Sequence, residues 1–208
     1  MIRPDHDSDW PAFYAATRDQ GPHITTARAL RLRADAPHQS EHALDLGCGA
    51  GRDTRAMLRH GFHVTAVDIA RMPLRRLFAS LSAEERLRVA LLPVAFELFS
   101  PARRFAMVNS SLAMSFCRPE AFDEFCSRAL GAVERGGLFA GHFLGVNDEW
   151  AKTPTQTFLT RARVASFFSE FSFELFLETE IDDQDALGRK KHWHIFGVVA
   201  RRTKETNT

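Results

Sequence analysis

Apolar and polar positions along this chain switch repeatedly between a two-residue and a helical period. His42-Ala43-Leu44-Asp45-Leu46 is a short apolar run, a strand closed by a glycine-rich turn. Arg52 to His60 follows as a helix with Ala56, Met57 and Leu58 facing inward and Gly61 as its stop. Phe62 to Val67 alternates and is rich in β-branched residues, which predicts a second strand, and Arg71 to Leu81 predicts a second helix. Leu87 to Leu92 reads as a third strand. Pro93 ends it, and a proline there suits a sheet edge better than its centre.

Phe105 to Asn109 is the fourth strand, and Pro119 to Glu134 is a helix with proline at its start. Gly136-Gly137 then turns into a fifth strand, Leu138 to Leu144. The loop Gly145 to Thr157 carries Trp150 and Pro154. Beyond it lie a helix at Arg161 to Ser169, an alternating Phe/Leu strand at Phe171 to Glu178 and a last strand at His192 to Ala200. Asp9 to Asp35 reads as one or two helices broken at Gly21-Pro22. Strand–helix alternation predicts an α/β fold, a mostly parallel sheet with helices on both faces. No helix separates the last two strands, which predicts a hairpin and one antiparallel strand. The expected organisation is one domain: a helical cover at 1–40, a core at 41–145, a second half at 146–201 and a frayed polar tail at 202–208.

Composition narrows the classes. A chain of 208 residues, 45% hydrophobic and 25% charged, can bury one sizeable core. Its formal net charge of +1 argues against binding nucleic acid or an anionic membrane through bulk charge. Three cysteines, Cys48, Cys117 and Cys126, fit a reducing compartment better than a disulfide framework. The start is polar and acidic, and the longest apolar stretch, Val89 to Phe99, is cut by Pro93 and Glu97 and is too short to span a bilayer. The expectation is a soluble, cytoplasmic protein.

The densest chemical signal is Asp45-Leu46-Gly47-Cys48-Gly49-Ala50-Gly51-Arg52-Asp53. Three glycines alternate between a strand and a helix, so the backbone can turn sharply and let a ligand approach. The helix start beyond offers unpaired N–H groups to an anionic group. Asp68 closes the second strand, where a carboxylate can accept from both hydroxyls of a ribose. Together these predict a nucleoside-containing ligand. Arg52 stands where a nicotinamide-binding turn needs glycine, and no phosphate loop is present.

The run Asp-Leu-Gly-Cys-Gly-Ala-Gly with Asp68 downstream resembles the class I S-adenosylmethionine-dependent methyltransferases over roughly residues 43 to 145. The Gly-Arg-Asp after the triplet is similar, more narrowly, to the tellurite-resistance and thiopurine-type small-molecule group. The resemblance implies a three-layer Rossmann-like fold with a seven-stranded mixed sheet, the last strand antiparallel and an N-terminal helical cover. It implies S-adenosyl-L-methionine as cofactor, held by Asp45, Gly47, Cys48, Gly49 and Gly51, with Asp68 and its neighbour Ile69 at the ribose, Phe96 and Glu97 at the adenine and Asn109 at the methionyl amine. Arg52 would pair with the methionyl carboxylate, and Tyr14 belongs to a helix that covers the site. The family's fourth-strand motif usually begins Phe-Asp, and here it is Phe105-Ala106. Val108 to Leu112 also lacks the Asn-Pro-Pro-aromatic tetrad of methyltransferases acting on nucleobases.

The expected reaction is methyl transfer to a small-molecule acceptor, with no membrane, nucleic acid or metal involved. His142, in the fifth strand, is the sole candidate for substrate contact or proton removal, and no strong base is evident, which favours a thiol or another soft nucleophile. His192 and His194 share a strand face but lack further metal ligands nearby. The rival readings are a binding protein without turnover, which rests on Ala106 alone, a protein or nucleic-acid methyltransferase, and a nucleotide-dependent oxidoreductase.

Overall fold

The computed structural model describes residues 10–17, 20–34 and 40–203. The first nine residues, Asp35 and the tail from 204 onward, to which the sequence assigned helix ends and fraying, lie outside them.

Two helices, α1 (Trp10–Ala16) and α2 (Ile24–Ala34), flank the break expected at Gly21-Pro22. Then come β1 (His42–Leu46), α3 (Arg52–Arg59), β2 (His63–Asp68), α4 (Arg71–Ser80), α5 (Ala83–Leu87), β3 (Val89–Pro93), β4 (Phe105–Ser110), α6 (Pro119–Gly131), β5 (Val133–Leu144), α7 (Arg161–Ser166), β6 (Phe171–Gln184) and β7 (Lys190–Arg202). The seven strands form one sheet in the order β3-β2-β1-β4-β5-β7-β6. The first five in that order pair in parallel, whereas β7 runs antiparallel to both β5 and β6. The mixed seven-stranded sheet and its antiparallel last strand match expectation, and Pro93 does sit on the edge strand. Chain order reverses between β1 and β4, so a crevice opens at their carboxyl ends.

The sheet is buried on both faces. On one face Phe122, Phe125, Phe139, Phe143, Phe168 and Phe196 build an aromatic core. On the other, Leu30, Met57, Leu74 and Leu77 pack helices α2, α3 and α4 down. Ala106 belongs to that second core, and all six residues of β4 are buried. An unpaired carboxylate at position 106 would be costly there, so the missing acid follows from packing.

Several boundaries depart from expectation. Ser82 and Glu85 close a capping box that starts α5, so Leu87, taken for strand, ends a helix and β3 begins at Val89. Helix α6 stops at Gly131, and β5 already pairs at Val133 with Phe105. The glycine pair is thus a bulge inside β5: Phe105 faces Val133, while Met107 faces Leu138. Gly136 takes φ +74°, and a Cβ on Gly137 would stand 2.9 Å from the carbonyl oxygens of Ala106 and Glu134. The β6–β7 hairpin is also longer than predicted, its last pair being Gln184 with Lys190. Finally, Arg202, assigned to the frayed tail, is strand. Its guanidinium meets Glu170 at 2.6 Å and the carbonyls of Gly131 and Val133 at 3.0 and 2.9 Å.

Candidate active site

At the mouth of the crevice, β1 ends one residue after Asp45, which lies in register with Asn109 of β4. Both side chains are buried and joined: Asn109 Nδ2 donates to Asp45 Oδ1 at 2.8 Å, and Thr54 Oγ1 donates to Asp45 Oδ2 at 2.5 Å. Asn109 Oδ1 accepts from Thr26 Oγ1 of α2 at 2.9 Å. Nδ2 also reaches Asp53 Oδ2 at 3.3 Å. Burial first, and the Asp53 charge second, push the Asp45 carboxyl up to about 7 against the hydrogen bonds from Thr54 and Asn109. Burial acts on Asp53 in the same sense, but hydrogen bonds and charge from His23 outweigh it and hold this carboxyl below the usual range.

The glycine loop follows. Gly47, Gly49 and Gly51 all have left-handed φ (71°, 52° and 84°), a region that costs other residues. The amides of Gly47 and Cys48 both donate to the Val67 carbonyl, at 2.8 and 3.0 Å, which folds the loop back over the end of β2. Gly49 N–H donates to Asp68 Oδ2 at 2.9 Å, and Ala70 N–H donates to Oδ1 at 2.8 Å. Burial raises the Asp68 pKa against these two bonds. Tyr14 of α1 packs against the loop, its Cε1 2.8 Å from where a Gly49 Cβ would stand. Burial, then the charges of Asp68 and Cys48, push its phenol up. Trp10 stacks on Tyr14 (centroids 5.7 Å) and meets Phe116 edge-on (5.5 Å), so α1 roofs the loop with aromatic faces. Cys48 is buried beneath, its thiol raised by burial and by Asp45 and Asp68, which leaves it no thiolate character.

The other sequence candidates separate. Phe96 stacks on core Phe125 at 4.6 Å, and its Cζ comes 3.2 Å from the Gly47 Cβ position, so it bridges core and loop. The Glu97 carboxylate accepts at 3.3 Å from the N–H of Arg118, the N-cap of α6. Ile69 is 66% exposed beside Asp68. His142 is buried with Nδ1 unpartnered and its ring 5.7 Å from that of His23. Burial, then His23 and Arg52, lower its pKa to about 3, although Asp53 opposes this. His192 pairs with Asp182 and Glu180, and His194 with Glu178, so this histidine pair is spent on the hairpin's own acids.

Sequence reasoning missed His23, Thr26, Asp53 and Thr54. Asp53 accepts from His23 N–H at 2.9 Å and from its Nδ1 at 2.8 Å, while Arg52 donates to Gly21 O (2.5 Å) and reaches His23 Nε2 (3.1 Å). The signal was present in the Gly-Arg-Asp triplet, but its partner lies 30 residues upstream of Asp53. The cluster offers a curved loop with open backbone, buried carboxylates below and an arginine at its rim, features that fit a nucleoside with a zwitterionic arm.

Comparison with known proteins agrees. Residues 43–137 match the family described as a methyltransferase domain. No curated protein matches the sequence. Among solved structures, TehB from Haemophilus influenzae is 16% identical, with a TM-score of 0.75 over 92% of this chain, which spans only 66% of that one. The Burkholderia thailandensis 1,6-didemethyltoxoflavin-N1-methyltransferase, solved with its substrate and S-adenosylhomocysteine, is 20% identical (TM-score 0.64, 98% of this chain and 92% of that). N-methyltransferase NodS from Bradyrhizobium japonicum, with S-adenosylhomocysteine, is 13% identical (TM-score 0.66, 95% of this chain and 100% of that). Residues 43–137 therefore match a methyltransferase-domain family, and the chain shares its fold with methyltransferases solved with S-adenosylhomocysteine.

Proposed function

We propose that the protein methylates a small molecule bearing a soft or already deprotonated nucleophile, such as a thiol, in the cytoplasm. The observation that carries this reading is the aromatic roof: Trp10, Tyr14 and Phe116 close the loop side of the crevice, which favours a compact acceptor over a macromolecule. When bound, S-adenosylmethionine supplies an activated sulfonium methyl group, so the chain has chiefly to align the partners and keep water out.

Each group has a distinct part. The Gly47–Gly51 backbone, turned tightly because a Cβ would meet Ala113, Tyr14 or Leu77, cradles the cofactor, and Asp68 accepts from ribose with the lone pairs its two amide contacts leave over. Phe96 and Glu97 flank the adenine, while Ile69 lies beside Asp68 at the ribose. The Asn109 carbonyl, with Asp45 beneath, faces the methionyl amine, and Arg52 takes the carboxylate. Aromatic faces favour a nearby sulfonium. His142, with a pKa near 3, is too weak a base for a protic acceptor, which supports the soft-nucleophile reading. Three free buried cysteines support a reducing compartment. Among the described residues no helix is long and apolar enough to cross a membrane. The neighbour whose name gives a toxoflavin precursor as substrate supports a small acceptor.

The test is mass-spectrometric detection of S-adenosylhomocysteine formed in the presence of thiols, phenols, amines, peptides or RNA. Turnover with thiols is expected. Turnover confined to peptides or RNA would defeat the small-acceptor reading, and binding of the cofactor with no turnover against any acceptor would favour a binding protein instead.

A further inference from the structure

The Arg52 guanidinium is held at two of its three nitrogens. Nε donates to the Gly21 carbonyl and Nη1 to His23 Nε2, while Nη2 has no partner among the described residues. An arginine as first residue of α3 stands at the positive end of a helix dipole, so the helix itself does not favour it there. What holds it is His23. Asp53 receives both the backbone N–H and Nδ1 of His23. With Nδ1–H directed at a carboxylate, Nε2 is the bare nitrogen that can accept from Arg52. Asp53 is itself anchored by Asn109 at 3.3 Å, which ties this relay to the end of β4.

We infer that His23 is a positioning residue for the cofactor: oriented by Asp53, it holds Arg52 so that the free Nη2 is presented to the carboxylate of the cofactor's amino-acid arm. The inference rests on the assignment of Arg52 under Proposed function. A guanidinium fixed at Nε and Nη1 meets a carboxylate through Nη2, and little side-chain freedom remains to be lost on binding. The groups facing His23 are Asp53 and Arg52 of α3 and His142 of β5, with Asp45 and Asn109 behind Asp53.

Calorimetry with two probes separates this role from a structural one. S-adenosylhomocysteine carries the amino-acid arm; 5′-methylthioadenosine has the same adenosine and thioether without it. His23→Ala is expected to weaken the first at least tenfold and to leave the second within about twofold, as Arg52→Ala should. Should His23→Ala not fold, His23→Gln keeps an acceptor for Arg52 and should hold the affinity for both probes within about threefold of the wild-type protein. Equal loss of both probes in His23→Ala, unchanged affinity for both, or a selective tenfold loss of S-adenosylhomocysteine in His23→Gln would overturn the inference. Failure of the wild-type protein to bind either probe would instead overturn the cofactor assignment, and the inference with it.

Discussion

Asp68 accepts the Gly49 amide at 2.9 Å, so the carboxylate expected at the ribose also pins the loop that would cradle the cofactor. The same side chain accepts from Ala70 at the start of α4. Two jobs on one carboxylate change what a substitution does. Asp68→Ala should weaken S-adenosylhomocysteine by about 1.5–3 kcal/mol, the range for a charged hydrogen bond. It should also lower the melting point of the free protein, because two buried amides lose their acceptor. Asp68→Asn keeps one oxygen acceptor and should recover part of the stability. Calorimetry and thermal melts of both variants decide it: intact affinity in Asp68→Ala would remove the ribose role.

Gly49 faces a ring rather than open space. A side chain there must take φ near 52° and stand 2.8 Å from Tyr14 Cε1. Left-handed backbone costs a non-glycine residue about 1–2 kcal/mol. Gly49→Val is therefore expected to push α1 off the loop and abolish S-adenosylhomocysteine binding while the sheet stays folded. Tyr14→Ala in the same background should relieve the clash but not restore binding. Circular dichroism with calorimetry reads both effects, and undiminished binding in Gly49→Val would show that the loop is not the cradle.

Asp45 gives a pH signature. Its carboxyl is raised to about 7 in the folded chain from an unfolded value near 3.8. Between those values the folded state binds the extra proton, so this group's contribution to stability declines as pH rises through that window. Asp53 is displaced the other way, and its stabilising contribution is lost only in stronger acid, below the ordinary carboxylate range. Asp45→Asn can still accept from Asn109 and donate to Thr54, and it should flatten the decline between about pH 4 and 7. Melting curves at pH 5 and 8 test this; an unchanged slope in the variant would place the titration elsewhere.

Much of the fold was legible because its signals are local. The glycine loop, Asp68 at the end of β2 and Pro93 at an edge each announce themselves within a few residues. The capping box of Ser82 and Glu85 was equally local and went unread beside the apolar run that follows it. Other features depend on distant partners. Gly136-Gly137 signals a turn in isolation, and only the pairing of Val133 with Phe105 makes it a bulge. Residues Thr179 to Gln184 are mostly polar, yet they extend β6 because His192 and His194 lie across from Asp182 and Glu180, and His192 pairs with both acids. Arg202 looks like tail until Glu170 is placed beside it. The His23–Asp53 contact, which completes the candidate site, is written in no local pattern.

The loop Gly145 to Thr157 is anchored without any ligand. Lys191 is buried with its ammonium 4.2 and 4.0 Å from the ring centroids of Trp150 and Trp193, and it pairs with Asp148. Asp148 also accepts from the amides of Trp150 and His194, and Glu149 accepts from that of His192. Burial lowers the Lys191 pKa against the Asp148 bond, so this pair works for geometry at the cost of desolvation. Lys191→Met should cost about 3–5 kcal/mol, the penalty for stranding a buried partner charge. The double variant Lys191→Met/Asp148→Asn should recover much of that. Hydrogen exchange with and without S-adenosylhomocysteine should then slow in α1 alone in the wild-type protein, because the loop has little left to gain. In Lys191→Met the loop should exchange fast in both conditions. Equal slowing of α1 and the loop in the wild-type protein would show that the Lys191 anchorage does not hold the loop in place before the cofactor arrives.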